Sequence, residues 1–134
     1  MTDPALVAKK LALIETCVQQ LRSLARPEAI RGDIREERFV AHTLQIAIQA
    51  ALDVASHIVS DERLGEPETN RELFDLLARA GTLGSPLAST LRDMAGFRNV
   101  IVHGYQDVDL GVLEDVLRNH LGDLLAFVSA IRER

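Results

Sequence analysis

Hydrophobic residues recur along this chain at steps of three and four, in five successive blocks. Such spacing lays apolar side chains along one face of a helix, so each block predicts an amphipathic helix. The first covers 4–25. Val7, Leu11, Ile14, Val18, Leu21 and Leu24 form its stripe, Asp3 stands at the N-cap position, Pro4 fits the first helical position and Pro27 closes it. The second and longest covers 33–61. Its band of Val40, Leu44, Ala47, Ile48, Ala51, Leu52, Ala55, Ile58 and Val59 is wide enough for a central, largely buried helix. A turn rich in Gly, Glu and Pro follows over 61–68. Thr69 and Glu72 then have the spacing of a capping box, which opens a short third helix over 69–80 that stops at Gly81. Ser85 and Pro86 open the fourth as Asp3 and Pro4 open the first, and Leu87, Leu91, Met94, Phe97 and Ile101 carry it to an end at Gly104. The fifth covers 109–132, with Leu113, Val116, Leu117, Leu121, Leu124, Val128 and Ile131 on its stripe. No stretch has the period of a strand, and the connections are short, so neighbours should pack antiparallel. The prediction is an all-α fold: an antiparallel helical bundle of about five helices, as a single domain over 1–134.

Composition narrows the picture. Only 4% of the residues are aromatic and none is Trp, so Leu, Ala, Ile and Val must build the core. Cys17 is the sole cysteine, which excludes an intrachain disulfide and fits a reducing compartment. Its place on the first stripe reads as packing rather than as a nucleophile. The N-terminus lacks the basic-then-apolar layout of a signal peptide, and no apolar run approaches the ~20 residues of a membrane span. A cytoplasmic protein with no membrane association is expected. The net charge of −5 opposes broad nonspecific binding to nucleic acid, but leaves room for a local basic site.

The candidate chemistry is sparse. His42, His57, His103 and His120 have no metal-ligand spacing and there is no Cys pair, so no metal and no cofactor are expected. The glycines at 81 and 84 lack the Lys and Ser/Thr of a phosphate loop, and no G-x-S-x-G turn exists. Along the second helix His42, Gln45, Gln49, Asp53, Ser56 and Ser60 form a narrow polar stripe, readable as a solvated face or, since it is poor in long charged residues, as a contact surface or site wall. Asp53 and His57 stand one turn apart and can touch. Either Asp53 orients the histidine locally, or the pair walls a site.

The remaining segment is Phe97-Arg98-Asn99-Val100-Ile101-Val102-His103-Gly104-Tyr105, which gathers Arg, Asn, His and the only Tyr at the end of an apolar helix. On one regular helix Arg98 and His103 point ~140° apart and are separated by ~7.5 Å. Either the helix ends between them or another element completes the site. A helix end at Gly104 would set His103 against the negative end of the helix dipole, favouring the imidazolium and a pKa near neutrality suited to proton transfer. The same position also suits a histidine that merely caps backbone carbonyls.

R-N-V-I-V-H-G-Y resembles the R-x-x-x-x-H-x-Y motif of the HepT branch of the HEPN superfamily, with Arg98, His103 and Tyr105 at the motif positions and Asn99 as the polar residue after the arginine. The similarity extends to the long second helix, the G-E-P turn and the Q-D-V-D-L that follows the motif. It implies a HEPN-like fold and a bacterial toxin, a metal-independent endoribonuclease with its site between the protomers of a homodimer. Arg98 would hold the scissile phosphate and His103 would move protons between the ribose 2′-hydroxyl and the leaving oxygen, with Asn99 and Tyr105 positioning the substrate. It further implies an antitoxin partner, an MntA-like nucleotidyltransferase, that silences the RNase by transferring AMP to Tyr105. The alternative within the same resemblance is a non-catalytic HEPN binding partner or nucleotide-binding scaffold of a nucleotidyltransferase. An unrelated helical bundle is the third reading.

Overall fold

A computed structural model describes residues 3–103 and 109–134, and the side chains of all of these except 102 and 103. Among the described residues the regular elements are all helical: α1 (Pro4–Leu24), a 3-10 helix (Pro27–Ala29), α2 (Ile34–Asp61), α3 (Glu72–Arg79), α4 (Ser85–His103), α5 (Leu110–Asn119) and α6 (Leu121–Glu133).

Local chemistry explains most of the boundaries. The Asp3 carboxylate accepts from the N–H groups of Ala5 and Leu6 at 3.0 and 3.3 Å, and so caps α1. Asp33 does the same for α2, accepting from Arg35 N–H at 2.9 Å. The α1 stripe is buried from Val7 to Leu21, whereas Leu24 is 62% exposed, so the stripe ends a turn earlier than its periodicity implied. α1 stops at Leu24, ahead of Pro27, and the same proline opens the 3-10 helix. Cys17 is buried, and burial pushes its thiol pKa up, as expected of a packing residue.

α2 is the axis of the bundle and touches all five other helices. Leu44, Ile48 and Ile58 on it are fully buried in one hydrophobic cluster that reaches every helix. By length and composition α2 could cross a membrane, contrary to the reading of the sequence. Most of its apolar stretch is buried within the bundle, which marks it as a core helix. α1 runs antiparallel to α2, since Asp3 meets His57 and Lys10 meets Asp53. Phe74 of α3 and Phe127 of α6 meet edge to face, centroids 5.9 Å apart.

Two expectations need correction. The Thr69–Glu72 capping box does not form. The Thr69 carbonyl accepts from Glu72 N–H in a turn, and the Glu72 carboxylate reaches back to Glu68 N–H at 2.8 Å, so α3 starts three residues late. The fifth helix is two helices. At His120 (φ −124°, ψ 3°) the chain leaves the helical region, with the imidazole held by Asp123 at 2.8 Å and Asp115 at 3.2 Å. The flanking Asn119, Gly122 and Asp123 are weak helix formers, and Asp123 serves as a first-turn acid for α6.

Candidate functional site

α4 carries the motif, and its buried positions define which way each motif residue faces. Leu91, Met94, Ala95 and Ile101 are buried, so the core-facing stripe runs 91, 94, 98, 101. Arg98 therefore occupies a core-facing position. Its Nε is buried with no hydrogen-bond partner, while its Nη1 donates to the Asn99 side-chain oxygen at 3.2 Å. A buried guanidinium donor left unpaired costs stability, on the order of 1–3 kcal/mol. Proteins keep few such groups, and an anion is one partner that suits a guanidinium.

α4 is helical through both Arg98 and His103, so the helix does not end between them. At ~100° per residue, position 103 lies ~140° round the helix from 98, and 99 lies between the two. The bond to Asn99 thus draws the Arg98 fork round the helix toward the face on which His103 is carried. Positions 96 and 100 share that face, and Val100 is 44% exposed there. The expected helix end at Gly104, and Tyr105 itself, lie outside the described residues, as does the His103 side chain.

Asp53 and His57 are placed elsewhere. The Asp53 carboxylate takes Lys10 Nζ at 3.0 Å and Gln49 Nε2 at 2.8 Å, while His57 Nε2 accepts from Asp3 N–H at 2.9 Å. Both belong to the α1–α2 seam. Neither hydrogen-bonds Arg98 or Asn99, and α1 groups take the place of the local Asp53–His57 bond expected from spacing. A separate cleft of about 170 Å³ lies between α4 and α5, lined by Thr90, Asp93, Met94, Phe97, Val112 and His120 among others. Phe97 points ~100° from Arg98 in the sense opposite to Asn99, so this cleft is on the other flank of α4 from the motif face. Among the described residues no group of three or more His, Cys, Asp or Glu could hold a metal ion.

The profile of the ribonuclease HepT-like family matches residues 14–131. The chain belongs to this family. Among similar proteins, the mRNA nuclease HepT of Shewanella oneidensis is 30% identical over 128 residues, covering 95% of this chain and 96% of that protein. The tRNA nuclease HepT of Aphanizomenon flos-aquae is 28% identical over 109 residues, covering 80% and 74% of the two chains. The solved structure of the tri-AMPylated Shewanella oneidensis HEPN toxin, in complex with its MNT antitoxin, superposes with a TM-score of 0.90 at 30% identity and covers both chains fully.

In this HepT-like chain the motif stands on a helix that the core holds rigidly, with Ile101 fully buried between Arg98 and His103. A phosphate could meet the outer N–H groups of the Arg98 fork with Asn99 still bonded to Nη1, and would reach the buried Nε only if the side chain shifted. The sequence marks Arg98 by the motif spacing alone, since Phe97 completes the apolar stripe beside it.

Proposed function

We propose that this chain is the toxin of a bacterial toxin–antitoxin pair: a cytoplasmic endoribonuclease that cleaves RNA by 2′-hydroxyl attack, without a metal. AMP transfer to Tyr105 by a nucleotidyltransferase antitoxin silences it. The observation that carries this reading is the buried, unpaired Nε of Arg98, five residues ahead of His103 on one helix. The named nucleases among its relatives support the reaction class, and the AMPylated toxin complex supports the mode of control.

In the proposed reaction Arg98 holds the scissile phosphate and stabilises the charge that builds on its oxygens. His103 takes the proton of the 2′-hydroxyl as that oxygen attacks phosphorus. The P–O5′ bond breaks, and the departing oxygen receives a proton from a second acid. The products are a 2′,3′-cyclic phosphate and a free 5′-hydroxyl. One chain carries one motif histidine, so a twofold homodimer with both motifs in one cleft supplies base and acid together. AMP on Tyr105, two residues past His103, would put bulk and negative charge where the RNA phosphate must sit.

Purified wild-type protein, confirmed unmodified by intact mass, should cleave total RNA in excess EDTA and leave cyclic phosphate ends, whereas His103→Ala should not. Incubation with the cognate nucleotidyltransferase, ATP and Mg²⁺ should add AMP mass to wild type but not to Tyr105→Phe, and should end cleavage. Equal cleavage by wild type and His103→Ala, or none by either, would transfer the chain to the class of non-catalytic partners.

A further inference from the structure

α3 and α4 pack antiparallel, one turn against one turn. Arg92 of α4 pairs with Asp75 of α3 at 3.5 Å. One turn further along each helix, Arg71 and Gly96 face each other, and there the pattern changes. The Arg71 guanidinium lies on the α4 backbone itself: a Cβ built on Gly96 would stand 3.6 Å from its Cζ and Nε. A Cβ at that distance is in ordinary van der Waals contact, so alanine would fit at 96, while a longer side chain there would meet the guanidinium.

Among the described residues no acid pairs with this cation. Asp75 is engaged by Arg92 and the Glu72 carboxylate by Glu68 N–H. Arg71 is exposed and makes no ion pair or hydrogen bond among the described residues. Lys9, Arg22, Arg26, Arg35, Arg63 and Arg79 likewise have no ion pair among the described residues; what distinguishes Arg71 is its place against α4, on the motif helix. Arg71 also lies on a particular face. Positions 96 and 103 point within ~20° of each other and are about 10 Å apart along the axis. The unpaired guanidinium therefore sits on the His103 face of α4, two turns before the histidine, on the side to which Asn99 draws the Arg98 fork.

We infer that Arg71 is a substrate-positioning residue that binds a phosphate next to the scissile one, setting the path of the RNA along the Gly96–His103 face of α4. The inference rests on the ribonuclease reading above. It assigns the start of α3 a role in the site.

The experiment separates binding from cleavage. In a His103→Ala background, fluorescence anisotropy with a labelled single-stranded RNA should show Arg71→Ala weakening binding about fivefold to tenfold, with Arg71→Lys recovering most of it. The slope of log Kd against log salt should fall by about 0.7, the loss of one phosphate contact on a single strand. With His103 intact, Arg71→Ala should raise KM for long RNA and leave kcat nearly unchanged. A dinucleoside monophosphate, which has no neighbouring phosphate, should be cleaved equally well by both. Arg79→Ala, an equal charge loss two turns away at the far end of α3, should change none of these. If wild type cleaves RNA and Arg71→Ala matches it in KM and salt slope, the inference is wrong and the ribonuclease reading stands. A loss on the dinucleotide equal to that on long RNA would also overturn it, pointing to a structural role. Wild type that neither binds nor cleaves RNA defeats both.

Discussion

Replacing Arg98 by methionine should make the protein more stable and inactive at once. Methionine keeps the length and apolar character of the arginine stem, so the α4 stripe stays filled, and the change removes only the guanidinium. Two terms decide the sign. The buried Nε has no partner, and relieving that returns roughly 1–3 kcal/mol. The Nη1 bond to Asn99, 3.2 Å long and at a partly exposed site, is lost and costs about 0.5–1.5 kcal/mol; Asn99 can then turn to water. The balance is a gain of about 1 kcal/mol, which for a domain of this size raises Tm by about 3–4 °C. Cleavage should fall by at least ~10²-fold, as when a transition-state donor is deleted elsewhere. Arg92→Met, on the same helix, serves as contrast. It breaks the exposed Asp75 pair and leaves no orphan, so it should cost between 0 and about 1 kcal/mol and leave cleavage alone. Thermal melts followed by circular dichroism, beside RNA cleavage in EDTA, measure both quantities. An Arg98→Met protein destabilised by more than about 1 kcal/mol would falsify the idea that this arginine is held at a cost for the sake of an anion.

Two further outcomes follow from the scaffold. The hydrogen bond to Asp123 raises the His120 pKa above the ordinary 6.5, against the opposing effect of partial burial and with help from the charge of Asp115. The resulting stabilisation is complete below about pH 6.5 and fades as pH climbs through the raised value. Wild type should thus lose more stability than His120→Gln between about pH 6 and pH 8.5 in urea titrations, by less than about 1 kcal/mol because the ring is a third exposed; identical pH profiles would refute the assignment. Gly81 ends α3 at φ +83° with open space where a Cβ would go, so Gly81→Ala should cost about 1 kcal/mol from backbone strain alone, read as a lower urea midpoint at unchanged m.

The sequence was most legible where one physical cause acts locally. Asp3 caps the helix its position implied, and the α2 band is buried as its width required. Periodicity failed where it could not see a break. The apolar positions 113, 117, 121, 124 and 128 keep helical spacing straight through His120, so two helices read as one. The signal lay in the polar and small residues around the joint. Thr69 and Glu72 had the right spacing for a capping box, yet Glu72 found a nearer donor at Glu68. At the candidate site, Arg98 and Asn99 stand out by motif. Arg71 could not stand out, because its contact with Gly96 joins two helices and no spacing within the chain encodes it.

The charge balance links binding to control. At a net charge of −5 the field of the whole chain does not draw RNA in, so on the proposed reading affinity comes from local cations on the motif helix and beside it. Arg98 and Arg71 are the two placed there. On the proposed reading, few phosphates are contacted and the salt dependence of binding is correspondingly shallow. A site that relies on so few contacts is also easy to silence. On the same reading, adenylyl groups on Tyr105, seven residues past Arg98, would bring phosphates that compete for its guanidinium. Substrate and modification then compete for one guanidinium. The modified form should therefore melt at a higher temperature than the free toxin, and the increment should vanish in Arg98→Met, where no donor awaits an anion. An increment that survives Arg98→Met would place the AMP somewhere other than on this arginine.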